Sequence, residues 1–339
     1  MRTRALALLA ALVAANAGVW VWALLSFRDH PVLLGTAFLA YSLGLRHALD
    51  ADHIAAIDNA ARKLMQEGQR PVGIGLYFSL GHSTVVIAAS IGVAGFASTF
   101  KLQLAALHAL GGLIGTLVSA AFLVLIASFN LFVLLGIYRK FRAVRRAGSN
   151  PPQPPEDSSR ATGLLARLFR PLFGVIGRSW HMYPLGLLFG LGFDTATEVG
   201  LLGISAAEAS GGMSIWSILV FPALFTAGMS LLDFIDGILM LGAYGWALSR
   251  PVRKLYYNLT ITMCSVIVAF MVAGIETLAL VREHLGLRGE IWDAIAALNE
   301  NFGALGYVIV GVFALGWIVS LAIYRIKGYA ALDGRGAAP

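Results

Sequence analysis

Residues 46–58 read RHALDADHIAAID, which sets Arg46, His47, Asp50, Asp52, His53 and Asp58 between apolar runs on either side. Imidazole and carboxylate together suit a borderline divalent transition ion such as nickel, cobalt, zinc or copper(II). Magnesium and calcium would call for a shell of oxygen ligands instead. At about 100° and 1.5 Å per residue, His47, Asp50 and His53 step along one side of a regular helix. His47 and His53 would then stand about 9 Å apart along the axis, with Asp52 pointing nearly opposite Asp50. One ion cannot take His47, Asp52 and His53 unless the helix unwinds between them. A break is therefore predicted here, a device that ion carriers use at mid-membrane. Asp52 otherwise serves to hold a histidine ring nitrogen.

Other ionisable residues fall in further apolar runs. His82 lies in FSLGHSTVV, Asp194 and Glu198 in LGFDTATE, and Asp233 and Asp236 in GMSLLDFIDG. Such groups are costly at membrane depth and usually face a pathway or one another. Acids outnumber the one arginine read as intramembrane, Arg46, so the interior favours a cation. The competing reading is a set of salt bridges that fixes the helices, and pairing of Arg46 with one acid is expected on that view. His47, Asp50, Asp52, His53 and His82 are the candidate metal ligands. Arg46, Asp58, Ser83, Thr84, Asp194, Thr195, Glu198, Met229, Asp233 and Asp236 are candidates for the path or for supporting the ligands. The hydroxyls of Ser83, Thr84, Thr195 and Thr197 read chiefly as hydrogen-bonding glue between helices, and Gly81, Gly192, Gly228 and Gly237 as points of close approach. Asn16 and Glu276 are isolated polar residues assigned to packing.

These side chains need membrane helices to position them. Of the 339 residues only 13 % are charged, well below the usual quarter, and the mean hydropathy is +0.77. Apolar stretches of about 20 residues recur, so the fold class is an all-α polytopic membrane protein. Eight spans are predicted at 5–27, 32–58, 72–98, 105–138, 184–207, 214–248, 255–281 and 303–325. The first is read as a retained span, because its apolar run is too long for a signal peptide. The second and sixth are long and partly polar, which suggests broken or tilted helices. Residues 1–138 form an N-terminal half, 139–183 a basic, proline-rich cytoplasmic loop, and 184–339 a C-terminal half.

With the N-terminus inside, twenty lysines and arginines fall on cytoplasmic segments and four on outer ones, Arg62 and Lys63 among the former. Both termini are thus expected in the cytoplasm. The net charge of +7 reflects topology rather than a nucleic-acid footprint. No lysine is followed by Ser or Thr, so the chain carries no P-loop ATPase motif. The one cysteine, Cys264, leaves no disulfide or thiolate metal site. No motif for a protein partner is evident, and the oligomeric state is left open. An inverted repeat is suggested by LGL at 43–45 against LGF at 191–193, and by FSLGHS at 78–83 against FTAGMS at 225–230. It pairs spans two and three with five and six, and sets Met229 opposite His82.

The four ordered motifs RHALDADHI, FSLGHSTVV, LGFDTATE and GMSLLDFIDG resemble the signatures of the nickel/cobalt transporter family, NiCoT. The resemblance covers essentially the whole chain and implies an eight-span bacterial permease for Ni²⁺ and/or Co²⁺, transported as substrate with no cofactor. It ties His47, Asp52 and His53 to metal recognition, and matches His82, Asp194, Glu198, Asp233 and Asp236 to further motif positions. Phe234 departs from the family's usual threonine. Uptake across the bacterial cytoplasmic membrane is the expected direction, with efflux as the alternative. An intramembrane metal-dependent hydrolase is a distant third reading, because H-E-x-x-H and G-x-S-x-G elements are both lacking.

Overall fold

Lipid offers no hydrogen bonds, so a spanning segment must satisfy its backbone internally, and a helix does so within one strand of chain. The computed structural model describes residues 2–96, 176–192, 211–247 and 251–326, most of 116–139, and Leu113, Leu201, Ile204 and Ser205. Every regular element among the described residues is helical. The longer ones, in chain order, are α1 (Arg2–Ser26), α2 (Pro31–His47), α3 (Ala51–Gln66) and α4 (Ile74–Phe96), then α5 (Thr116–Gly136). The second half holds α6 (Met182–Phe189), α7 (Val220–Ala247), α8 (Pro251–Leu285), α9 (Glu290–Glu300) and α10 (Phe302–Ile326). Among the described residues five helices are long and apolar enough to cross a membrane, or seven if each bent pair is one span. Half of the span predicted at 184–207 lies outside the described residues.

The predicted break is present. Pro31 starts α2, where a missing N–H costs nothing, and α2 meets α3 at a bend of 49° across residues 48–50. The second span reaches further than the sequence suggested, to Gln66. Arg62 and Lys63, assigned to a cytoplasmic loop, are instead buried on α3. From Ala51 to Leu64 only Asp52 escapes full burial, so α3 is the central helix. Its alanines at 51, 55, 56, 60 and 61 let neighbours come close on all sides.

Two crossings of the same construction flank it. A methyl on Gly44 of α2 would overlap the Phe225 carbonyl of α7, and one on Gly228 would press on the Tyr41 carbonyl. A methyl on Gly186 of α6 would likewise overlap the Phe78 carbonyl of α4, and one on Gly81 the Tyr183 carbonyl. The sequences agree, YSLGL at 41–45 and YPLGL at 183–187. Gly44 and Gly186 stand at the same place in the two stretches. Ser83 and Ser230 are both buried, and neither Oγ has a hydrogen-bond partner.

Candidate metal site

The joint between α2 and α3 builds the site. Asp50 occupies the N-cap position of α3 with φ −67° and ψ 148°, yet its side chain caps no backbone N–H. Its Oδ2 lies 2.9 Å from His47 Nδ1 instead. A carboxylate only accepts, so the proton sits on Nδ1 and the Nε2 lone pair of His47 faces the other way. There it meets His82 of α4, with the two Nε2 atoms 3.0 Å apart.

His53, in the first turn of α3, is oriented in the same manner from another helix. Its Nδ1 lies 3.3 and 3.4 Å from the two carboxylate oxygens of Asp233 on α7. His53 Nε2 is buried with no hydrogen-bond partner. The break brings the His47 and His53 ring centroids to 4.6 Å, where an unbroken helix would hold the residues about 9 Å apart. Phe225 backs His47 at 5.5 Å, and the Phe78 ring meets His53 edge to face at 4.8 Å. These walls fix the imidazoles and keep water off them.

One ligand nitrogen from each of His47, His53 and His82 lies within 4.8 Å of the others, and all three residues are buried. With metal–nitrogen bonds of about 2.1 Å, neighbours at a right angle stand about 3.0 Å apart and opposite ligands about 4.2 Å. The His47–His82 pair already has the first spacing, and a small inward shift of the farther nitrogen completes the set. Three imidazoles backed by two carboxylates fit a borderline divalent ion.

The remaining candidates divide. Asp52 and Asp236 are half-buried, each with one enclosed oxygen that has no hydrogen-bond partner. Asp58 pairs with Arg62 at 3.5 Å. Arg46 is exposed, with no ion pair among the described residues, so the expected pairing with an acid is not found there. Met229 packs in an apolar cluster with Ala48, Val86 and Phe225. Thr84 does act as glue, its hydroxyl 2.9 Å from that of Tyr183, whereas Ser83 makes no such contact. Asp194, Thr195, Thr197 and Glu198 lie outside the described residues. Asn16 joins α1, α2 and α7, donating to the Ala227 carbonyl and accepting from the Tyr41 hydroxyl. Glu276 accepts from Ser119, joining α8 to α5.

Sequence reading missed Arg62 as the buried arginine. It donates to Asp58, Thr262 and Ser265, binding α3 to α8. The signal was available, since Asp58 and Arg62 stand one helical turn apart. The contact of Asn59 with Asn130, at 2.6 Å, anchors the same helix to α5.

Three buried imidazoles at a helix break inside a polytopic membrane protein define the class, an intramembrane metal-ion carrier. Residues 33–323 match the profile of the high-affinity nickel-transport protein family, NicO, and the chain belongs to that family. It is 60 % identical over 328 residues to the high-affinity nickel transport protein of Cupriavidus necator, covering 97 % of this chain and 93 % of the relative. It is 43 % identical to the high-affinity nickel-transport protein NixA of Helicobacter pylori strain 26695, over 90 % of this chain and 92 % of the relative. The cobalt transport protein NhlF of Rhodococcus rhodochrous is 42 % identical, over 87 % of this chain and 84 % of the relative. No solved structure matches the chain.

Proposed function

We propose that this protein is a secondary permease that takes Ni²⁺ and/or Co²⁺ into the cell across the bacterial cytoplasmic membrane, with both termini in the cytoplasm. The ion is bound by the Nε2 atoms of His47, His53 and His82. The observation that carries this reading is the convergence of three buried imidazole nitrogens within 4.8 Å. Asp52, with its enclosed free oxygen beside His53, supplies negative charge and an oxygen donor at the edge of the site. Relatives named as high-affinity nickel transporters and as a cobalt transporter support the substrate pair. Uptake also has a driving force that needs no ATP. A dication moving to the negative side of a membrane gains about 4.6 kcal/mol per 100 mV.

The test is ⁶³Ni²⁺ accumulation by cells expressing the chain, with Co²⁺, Zn²⁺ and Mn²⁺ as competitors. Wild type should accumulate nickel, and His47→Ala should lose most of that accumulation. Depletion of cellular nickel would reverse the direction, and full uptake by His47→Ala would remove the site.

A further inference from the structure

We propose that Asp50 and Asp233 are positioning residues and not metal ligands. Each holds one histidine by Nδ1 so that its Nε2 is presented to the ion, an assignment that rests on the three-histidine site above. Asp50 Oδ2 stands 2.9 Å from His47 Nδ1, and both oxygens of Asp233 face His53 Nδ1. Both carboxylates are buried, Asp50 at 3 % and Asp233 at 0 % exposure. An acceptor on Nδ1 selects the tautomer whose Nε2 carries a lone pair, fixes the ring plane and makes the ligand more basic. Without it the proton is free to sit on either nitrogen, and only one tautomer binds.

The two devices differ in where they are anchored. Asp50 belongs to the joint itself, three residues from the ring it holds, so the His47 arm is set wherever α2 and α3 meet. Asp233 is on α7, 180 residues from His53. The His53 arm is therefore set only while α3 and α7 are docked against each other. A relative movement of α7 would withdraw the acceptor and turn a preorganised ligand into a free one. Affinity for the ion is then tied to the packing of the two halves.

The experiment uses purified full-length protein in detergent with Co²⁺ as probe. It reads equilibrium affinity together with the visible absorption bands that report the cobalt ligand set. Asparagine at either position keeps an amide oxygen that accepts from Nδ1, and alanine does not. Asp50→Asn and Asp233→Asn should leave the band positions unchanged and weaken binding no more than about 10-fold. Asp50→Ala and Asp233→Ala should weaken it by up to about 100-fold. Because alanine can also cost folding, the asparagine variants decide. Bands that shift in either one, or binding lost as fully as with alanine, would make that carboxylate a ligand and overturn the proposal. An asparagine variant that fails to fold would also count against it, since the acceptor is still in place. His82→Ala serves as the separate control. If its bands and affinity match wild type, the three-histidine site itself is wrong, whatever the aspartates do.

Discussion

The backbone of Gly44 lies directly against the carbonyl of Phe225, leaving no room for a methyl group between α2 and α7. Since α2 ends three residues later at His47, this contact sets the height and rotation of one metal-binding ring. Gly44→Ala should force the helices apart, with a stability loss of about 1–3 kcal/mol, and lower nickel uptake with it. Gly35, which has open space around it, is the control. Gly35→Ala should keep wild-type melting temperature and uptake when both are measured side by side.

Removing the third imidazole separates binding from folding. His82→Ala should raise the KM for ⁶³Ni²⁺ uptake at least about 10-fold, while the purified variant elutes and melts as wild type does. A KM left unchanged would mean that two histidines suffice.

The 3.0 Å spacing between His47 Nε2 and His82 Nε2 suits ligands at a right angle. Tetrahedral coordination would set them about 3.4 Å apart for bonds of about 2.1 Å. Zn²⁺, which favours the tetrahedral arrangement, should therefore inhibit nickel uptake less than an equal concentration of Co²⁺. Competition curves for the two ions measure this directly, and equal inhibition would remove the geometric argument.

Arg62 and Asp58 form a buried pair on α3. Arg62→Leu strands the carboxylate and should cost about 3–5 kcal/mol. The double variant Asp58→Leu/Arg62→Leu removes both charges and should regain most of the lost thermal stability. Detergent melting curves of the single and double variants decide the matter independently of transport.

Asn16 and Tyr41 make an interhelical contact that includes none of the three imidazoles. Asn16→Leu should cost about 0.6 kcal/mol and no more than about 1.7, with the affinity for Co²⁺ unaltered. A changed affinity would give α1 a part in the site.

Much of this was legible in the residues themselves. Hydropathy alone marks the apolar runs, and the impossibility of one ion spanning His47 and His53 on a regular helix required the break that is found. His82 stood out as an imidazole in an otherwise apolar run. The partnership of His53 with Asp233 was not legible, because helix geometry reaches only a few residues along the chain and these are 180 apart. Arg62 was read into a loop for the same reason. Hydropathy places Arg46 at membrane depth and Arg62 in a loop, but which arginine is enclosed depends on how far α3 continues and what packs on it. The helix α9 was outside every predicted span. Its pattern is amphipathic rather than uniformly apolar, with Ile291 and Leu298 exposed and Asp293 paired to Arg282.

The carbonyl of Leu49, in the joint, abuts Gly306 of α10 so closely that a single added carbon there would collide with it. Helix α10 thus packs directly against the joint between α2 and α3. Were it withdrawn, α2 and α3 could fuse into one continuous rod, on which His47 and His53 would point about 120° apart. A chain shortened before residue 302 would then lose its grip on nickel with every imidazole still present.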